Sequence, residues 1–435
     1  MKYLILFVLN FFSFLNCNDP VQKIKKVTLI NFLFFSLFMV AILTLFGCKK
    51  PLNNEVIEVK TINNFRIDTI FLLAANSKFV NPRTYKIVNN NYFMDTEVTS
   101  IGNIVDKKLY IFDFKERKLV KTIQLYSEGP NTTIYGGYNV YHHIINDNTI
   151  IIIDAPSGKI SRINSEGIKL KSFDIPVVGN NSYGLFIDFM IQGVYANNLF
   201  LYPVAPWGVF PETVEDLNVL DLFHLLSIDF NKNHVNFKIK RSNLYTLDKL
   251  YYLENCCQTN FIANNRDVEL FISDCFNPEI SVYSLIGLNK KTNFIMKSNE
   301  FKNVPPYYKK FTSSEFSNLP AQSFREILEF GHKNPSYAQL HVDTFNNLII
   351  RQAKLGMSEE NYYEDRTKWA HSLILHDLTT LKFINELKIN KDEHLDINFL
   401  DGFMTSEGLV FPFKVIQSKE NEDILQFAKI TFLPE

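Results

Sequence analysis

The chain has 435 residues, 46% of them hydrophobic and 21% charged, and its formal net charge is −1. Such a composition excludes an extended disordered protein, and the near-neutral charge leaves no dense basic face to displace counterions from a phosphate backbone, so no nucleic acid is expected as a partner. Phe 40 and Tyr 20 against Trp 2 point to aromatic-rich strands, because large rings suit a pleated, half-buried surface.

The amino end stands apart. Residues 3–16 are apolar, residues 22–26 (QKIKK) are basic, and residues 27–47 are apolar again. Lysines ahead of a long apolar run form the positive and hydrophobic regions of an export signal. The second run is also long enough to span a bilayer of about 30 Å, so a retained transmembrane anchor is the alternative. Leu45-Phe46-Gly47-Cys48 resembles the lipobox of bacterial lipoproteins, with a small residue before the cysteine that takes the lipid. The resemblance implies lipidation at Cys48 and attachment to the membrane through acyl chains, which hold a protein stably when more than one is present. The expected location is therefore the bacterial cell envelope, with the outer membrane favoured. Residues 1–47 are taken as the signal or transmembrane segment, 48–64 as a tether and 65–435 as the folded domain.

In the body, four segments align without gaps. Each has apolar residues, an aspartate (Asp113, Asp154, Asp229 or Asp377), five turn-like residues and an apolar residue at +6 (Leu119, Ile160, Val235 or Phe383). A fifth copy places Leu288 where the aspartate would stand and Phe294 at +6. The aspartate is expected to end an inner strand and cap the turn by accepting backbone N–H groups, so the unit is a β-hairpin at an outer edge. Hairpins repeated in this way are the mark of a β-propeller. The fold class is thus all-β, a single propeller with six blades at about 84–126, 134–176, 182–242, 257–299, 336–390 and 395–433. Seven blades, or five with an irregular wedge, are the alternatives. Strand 65–73 is expected to pair with the last blade and remove an exposed edge. Segments 203–222 and 300–335 are insertions, the second helical between its prolines.

The stretch LYIFDFKERKLVKTIQLYSEGPN, with INDNTIIIID and INSEGIKLKSFDI, resembles a lipoprotein family of Bacteroides-type bacteria known as domain of unknown function 4221. The carrying elements are Glu128-Gly129-Pro130-Asn131, the turn Asp147 to Ile150, the hairpin Asn164 to Gly167, and Tyr337 to Arg351. The resemblance implies a propeller and an envelope address; it implies no activity.

Candidate chemistry is sparse. Glu128 and Asn131 lie in the EGPN loop and are candidate ligand contacts, the alternative being a solvated turn. Arg366 and Trp369, in the aromatic and charged stretch 361–369, would make a contact surface, and Arg351 is either a ligand clamp or a charge paired inside its blade. His142-His143 with Asp147, and His371 with His376, are spaced so that each histidine pair falls on opposite faces of a strand, so no metal site is expected. Cys257 and Cys275 are a candidate disulfide, with buried thiols the alternative. No nucleophile elbow and no glycine-rich phosphate loop occurs, and no cofactor is implied. The expected role is a binding module for a protein or glycan; the rivals are a propeller hydrolase or lyase and a structural subunit of an envelope assembly.

Overall fold

The aspartate turns organise the molecule from the outside in. A computed structural model describes residues 62–73, 85–135, 140–174, 185–206, 225–238, 259–305, 320–389 and 397–434, with short breaks inside most of these ranges. Residues from Lys60 onward form one unit, and it is all-β except for a few helical turns.

Strand β1 is Ile62–Leu73. Strands β2 (Tyr85–Phe93), β3 (Thr96–Asn103), β4 (Lys108–Asp113) and β5 (Lys118–Gln124) follow as an antiparallel meander. The next meander is β6 (Val140–Asn146), β7 (Thr149–Asp154), β8 (Lys159–Ile163) and β9 (Lys169–Asp174). After the short β10 (Leu185–Phe186), a third sheet contains β11 (Val194–Ala196), β12 (Leu199–Pro203), β14 (Leu225–Asp229) and β15 (His234–Lys238), while β13 (Ala205–Pro206) pairs with β10. The fourth is β16 (Thr259–Asn264), β17 (Glu269–Asp274), β18 (Glu279–Ser284) and β19 (Lys290–Ile295). Helix α1 (Ala321–Lys333) leads into the fifth, β20 (Ser336–Asp343), β21 (Leu348–Lys354), β22 (His371–Asp377) and β23 (Phe383–Ile389), with the short α2 (Glu359–Glu364) between β21 and β22. Finally β24 (Phe403–Thr405), β25 (Gly408–Pro412) and β26 (Ile424–Pro434) run in order, and β1 pairs antiparallel with β26 from Ile62↔Pro434 to Leu73↔Ile424. One parallel bridge, Leu73↔Lys118, joins this last sheet to the first.

The core lies between successive sheets. Leu109 and Ile111 pack with Ile150 and Ile152 between the first two, and Phe271 and Ile280 pack with Ile349 and Ile374 between the fourth and fifth. Inner strands therefore have neighbours on both faces, and β7, β20, β21 and β22 are buried along their whole length. A continuous run such as TIIIID is what two-sided burial selects. The outermost β5 and β9 alternate instead, one face packed and one wet.

Each aspartate caps its turn as expected. Asp113 Oδ1 accepts from Glu116 N at 2.7 Å, Asp229 Oδ1 from Asn231 N and Lys232 N at 3.0 Å, and Asp377 Oδ1 from Thr380 N at 2.6 Å. All four end inner strands, but the hairpin lies at the outer edge of its sheet in three of them. Asp113, Asp229 and Asp377 end third strands, whereas Asp154 ends a second strand. The fifth copy shifts as well. Ser284, whose N–H donates to Asn289 O as Asp377 N–H does to Lys382 O, occupies the aspartate position. Leu288 instead takes the left-handed position four residues on, with φ 53°, matching Arg117 and Leu381 at 57° and 58°. The motif encodes a turn, and the same turn serves hairpins at different depths.

Helix α1 starts directly after Pro320, as the proline-bounded reading expects, and carries His332 and Lys333 in its last turn. Among the described residues no helix is long and apolar enough to cross a membrane; residues 1–47, where the signal or anchor was placed, lie outside them.

Candidate binding surface at the loop-bearing end

Strand order decides where function can sit. Within the sheets, the connections from first to second strand and from third to fourth are tight turns, such as 114–117, 344–347 and 378–382. The longer connections leave the opposite end of their sheets, where first strands begin, among them 125–139, 204–224, 296–335 and 355–370. Loops on a rigid scaffold are where recognition residues gather.

The EGPN loop is the best-fixed of these connections. Gly129 adopts φ 78°, its carbonyl accepts from Thr132 N at 3.2 Å and Thr132 Oγ1 at 2.6 Å, and Tyr126 O accepts from Thr133 N at 2.8 Å and Ile134 N at 3.1 Å. Two further bonds fasten the loop to the second sheet: Asn131 Oδ1 accepts from Lys169 N at 3.3 Å, and buried Asp154 accepts from Tyr135 N with Oδ2 while Oδ1 caps its own turn. Asn131, a candidate ligand contact, thus serves the scaffold. Glu128 is exposed and pairs with no described residue. Tyr126 and Tyr135 flank it in sequence, 37% and 39% exposed.

Sequence reasoning missed the residues around Tyr135. Lys169 Nζ donates to its phenol oxygen at 3.3 Å, and the hydroxyls of Ser172 and Ser161 lie beside it. Partial burial opposes ionisation of the phenol, but the hydrogen bonds from Ser172 and Lys169 and the lysine charge outweigh it and hold the group below the usual tyrosine value. Lys169 and Ser172 are three residues apart, which places them on opposite faces of a regular strand. The register shift between Arg162 and Ile163, opposite Lys171 and Lys169, adds the residue that lets both reach one ring.

Arg351 has a structural setting. Its guanidinium is fully buried, donating to Asn277 O at 2.7 Å and Met296 O at 3.0 Å and lying 3.6 Å from the Tyr337 ring centroid. Of the two readings offered for it, this geometry is that of a charge held inside the fold. Lys354, also buried, donates to Gly331 O at the end of α1. Tyr362 of α2 is buried against His332, with Lys333 over its ring at 5.3 Å. Stretch 361–369 is therefore partly a packed insertion. Arg366 and Trp369 lie outside the described residues, as do Cys48, Cys257 and Asp147; Cys275 is buried.

The histidines fall on opposite faces as expected. His371 packs on Phe399 and His376 on Phe294, and His142 bonds Ser100 Oγ at 3.0 Å while burial pushes His143 down to about 4. Among the described residues no group of three His, Cys, Asp or Glu side chains is placed to hold a metal ion.

Comparison with known proteins places the fold. The family model described as a domain of unknown function (DUF4221) matches residues 94–386. The crystal structure of a DUF4221 member from Bacteroides vulgatus is similar with a TM-score of 0.62 at 16% identity, covering 87% of this chain and all of that one (100%). A protein from Bacteroides fragilis whose name describes it as exported aligns with a TM-score of 0.47 at 13% identity, over 84% of this chain and 95% of that one. The WD40 domain of Neurospora crassa Pan2 aligns at 0.39 and 11% identity, over 86% and 88%. A search of curated proteins found no match.

Proposed function

The chain belongs to the DUF4221 family, and from that premise we propose that it is an envelope-anchored lipoprotein whose six-bladed propeller binds a protein or glycan through its loop-bearing end. Each meander of four strands is one blade, and β24, β25, β26 and β1 make the sixth. The packing of β2 on β6, of β16 on β20, and of β24 on both β20 and β2 supports closure of the ring. The lipobox resemblance at Cys48 supports the anchor.

One observation carries the binding reading. The EGPN backbone is fixed at Gly129, Asn131 and Tyr135, yet what it presents, Glu128 between exposed tyrosines, satisfies nothing in the described fold. A rigid loop with unspent polar and aromatic groups binds without a large ordering cost. The strand-end aspartates Asp113, Asp154, Asp343 and Asp377 are engaged as turn caps, which favours binding over carboxylate-pair hydrolysis.

The test is a glycan array and an envelope crosslinking screen with the lipidated protein, repeated with Glu128→Ala and Tyr126→Ala. Loss of the captured partner by about tenfold in either variant supports the reading. Capture that both variants leave unchanged, or turnover of a glycan without retention, overturns it. Mass spectrometry of the mature N-terminus tests the anchor separately: an unmodified Cys48 sinks it.

A further inference from the structure

Tyr135, Lys169, Ser161 and Ser172 form a cluster that does more than hold the chain together. Tyr135 is anchored by its backbone to Asp154, so its ring has no need of the lysine to stay in place. The phenol nevertheless accepts from Lys169 Nζ at 3.3 Å, and the hydroxyls of Ser172 and Ser161, bonded to each other at 3.4 Å, lie beside it. Lys159, on the neighbouring strand, is engaged by Asp174. No carboxylate forms an ion pair with Lys169 among the described residues. The cluster thus presents N–H and O–H groups, with Lys169 as its unpaired cation among the described residues, and is open to solvent at Tyr135 and at Leu170, which is 50% exposed.

We propose that this cluster is a subsite for an oxyanion carried by a glycan, a carboxylate or a sulfate ester, with Lys169 and the Tyr135 hydroxyl as donors and the exposed Tyr135 ring and Leu170 against the sugar. An oxyanion accepts several hydrogen bonds at once, and bonds to a charged acceptor are the stronger kind. Sugar rings pack on exposed aromatic faces, and Tyr135 presents such a face beside the anion donors. The proposal narrows the binding reading above to anionic glycans and rests on it.

The experiment is calorimetric titration of the full chain with three oligosaccharides of matched length: sulfated, uronate-containing and neutral dextran-type. Lys169→Gln, Tyr135→Phe and the distant charge control Lys297→Gln are titrated alongside, with thermal melting to confirm folding. The expected result is binding of at least one anionic oligosaccharide, weakened about tenfold in Lys169→Gln and several-fold in Tyr135→Phe, and unchanged in Lys297→Gln. Preference for the sulfated or the uronate ligand assigns the anion. Failure of both anionic ligands, equal binding by wild type and both site variants, or an equal loss in Lys297→Gln overturns the proposal. If it fails while a neutral glycan or protein is still captured through Glu128, the broader binding reading survives without it.

Discussion

Arg351 lies with its guanidinium 3.6 Å from the centroid of the Tyr337 ring, and both are buried in the fifth sheet. The same group donates to carbonyls of Asn277 and Met296 in the segments flanking β18 and β19, so it ties two sheets together. Arg351→Met leaves those carbonyls unpaired and removes the stacked cation, a loss on the order of 3 kcal/mol. Arg351→Lys keeps the charge but loses the planar fork, and about half of that loss is expected. Urea unfolding checks both; a destabilisation below about 0.5 kcal/mol in Arg351→Met contradicts this role.

Two glycines with the same φ of 78° separate backbone strain from crowding. A Cβ on Gly129 meets nothing within 4 Å, whereas one on Gly167 falls 2.3 Å from Gln124 O of the neighbouring sheet. Gly129→Ala is expected to cost about 1 kcal/mol, the left-handed penalty alone. Gly167→Ala must also push two sheets apart and is expected to cost at least twice as much, on the order of 2–3 kcal/mol. Melting temperatures of the two variants order them, and an equal effect refutes the crowding argument.

Much of the architecture was legible because turns are local. An aspartate that accepts backbone N–H groups two or three residues on closes a hairpin wherever it occurs, which is why Asp113, Asp229 and Asp377 marked sheet edges. The same locality misled the phase of two copies: nothing in IID-APSGK-IS says that its hairpin is the second of its sheet, and Leu288 is apolar at a position defined by φ. The long connections at one end could be read as insertions, but their common end required the strand order. The cluster at Tyr135 was beyond reach, since a bulge in β9 puts Lys169 and Ser172 on one face and a bulge leaves no periodic signal. Arg351 could be read as a charge held inside its blade, but its partners and those of Lys354 could not, because they are backbone carbonyls supplied by distant segments.

Acid sensitivity is expected from buried imidazoles. Burial lowers His341 to about 3, and its Nε2 has no hydrogen-bond partner, with Phe411 edge-on at 6.2 Å. His143 is lowered in the same way to about 4. An unfolded chain binds a proton at each below about pH 6.5 while the folded chain does not, so stability is full above that pH and falls as pH drops toward the folded values. By about pH 4.5 each contributes a loss on the order of 2 kcal/mol. In His341→Leu the free energy of unfolding, measured in urea from pH 7 down to 4.5, should fall less steeply than in wild type. An unchanged slope would show that His341 takes up its proton in the folded state.

Pairing of β1 with β26 gives the last prediction. β1 is the first strand among the described residues and it covers the edge of the final sheet, with Thr69 opposite Ala428 and Ile67 opposite Ile430. Its residues Ile62 and Ile70 are buried, and Asn385 donates to Ile62 O at 2.7 Å, so the strand also fastens the fifth sheet. Removal of residues 62–73 leaves an eleven-residue edge on β26, lined by Ala428, Ile430 and Phe432, with a full row of unpaired N–H and C=O groups. Such an edge pairs with another chain unless it is charged or covered. The truncated protein, expressed from residue 74 onward, should therefore aggregate or form edge-paired oligomers, and a synthetic peptide of residues 62–73 supplied during refolding should restore monomer. Thr69→Pro, which removes a donor from the middle of the ladder, should act in the same direction but more weakly. A truncated chain that stays monomeric with an unchanged melting temperature would mean that β1 is packed on the fold without holding it together.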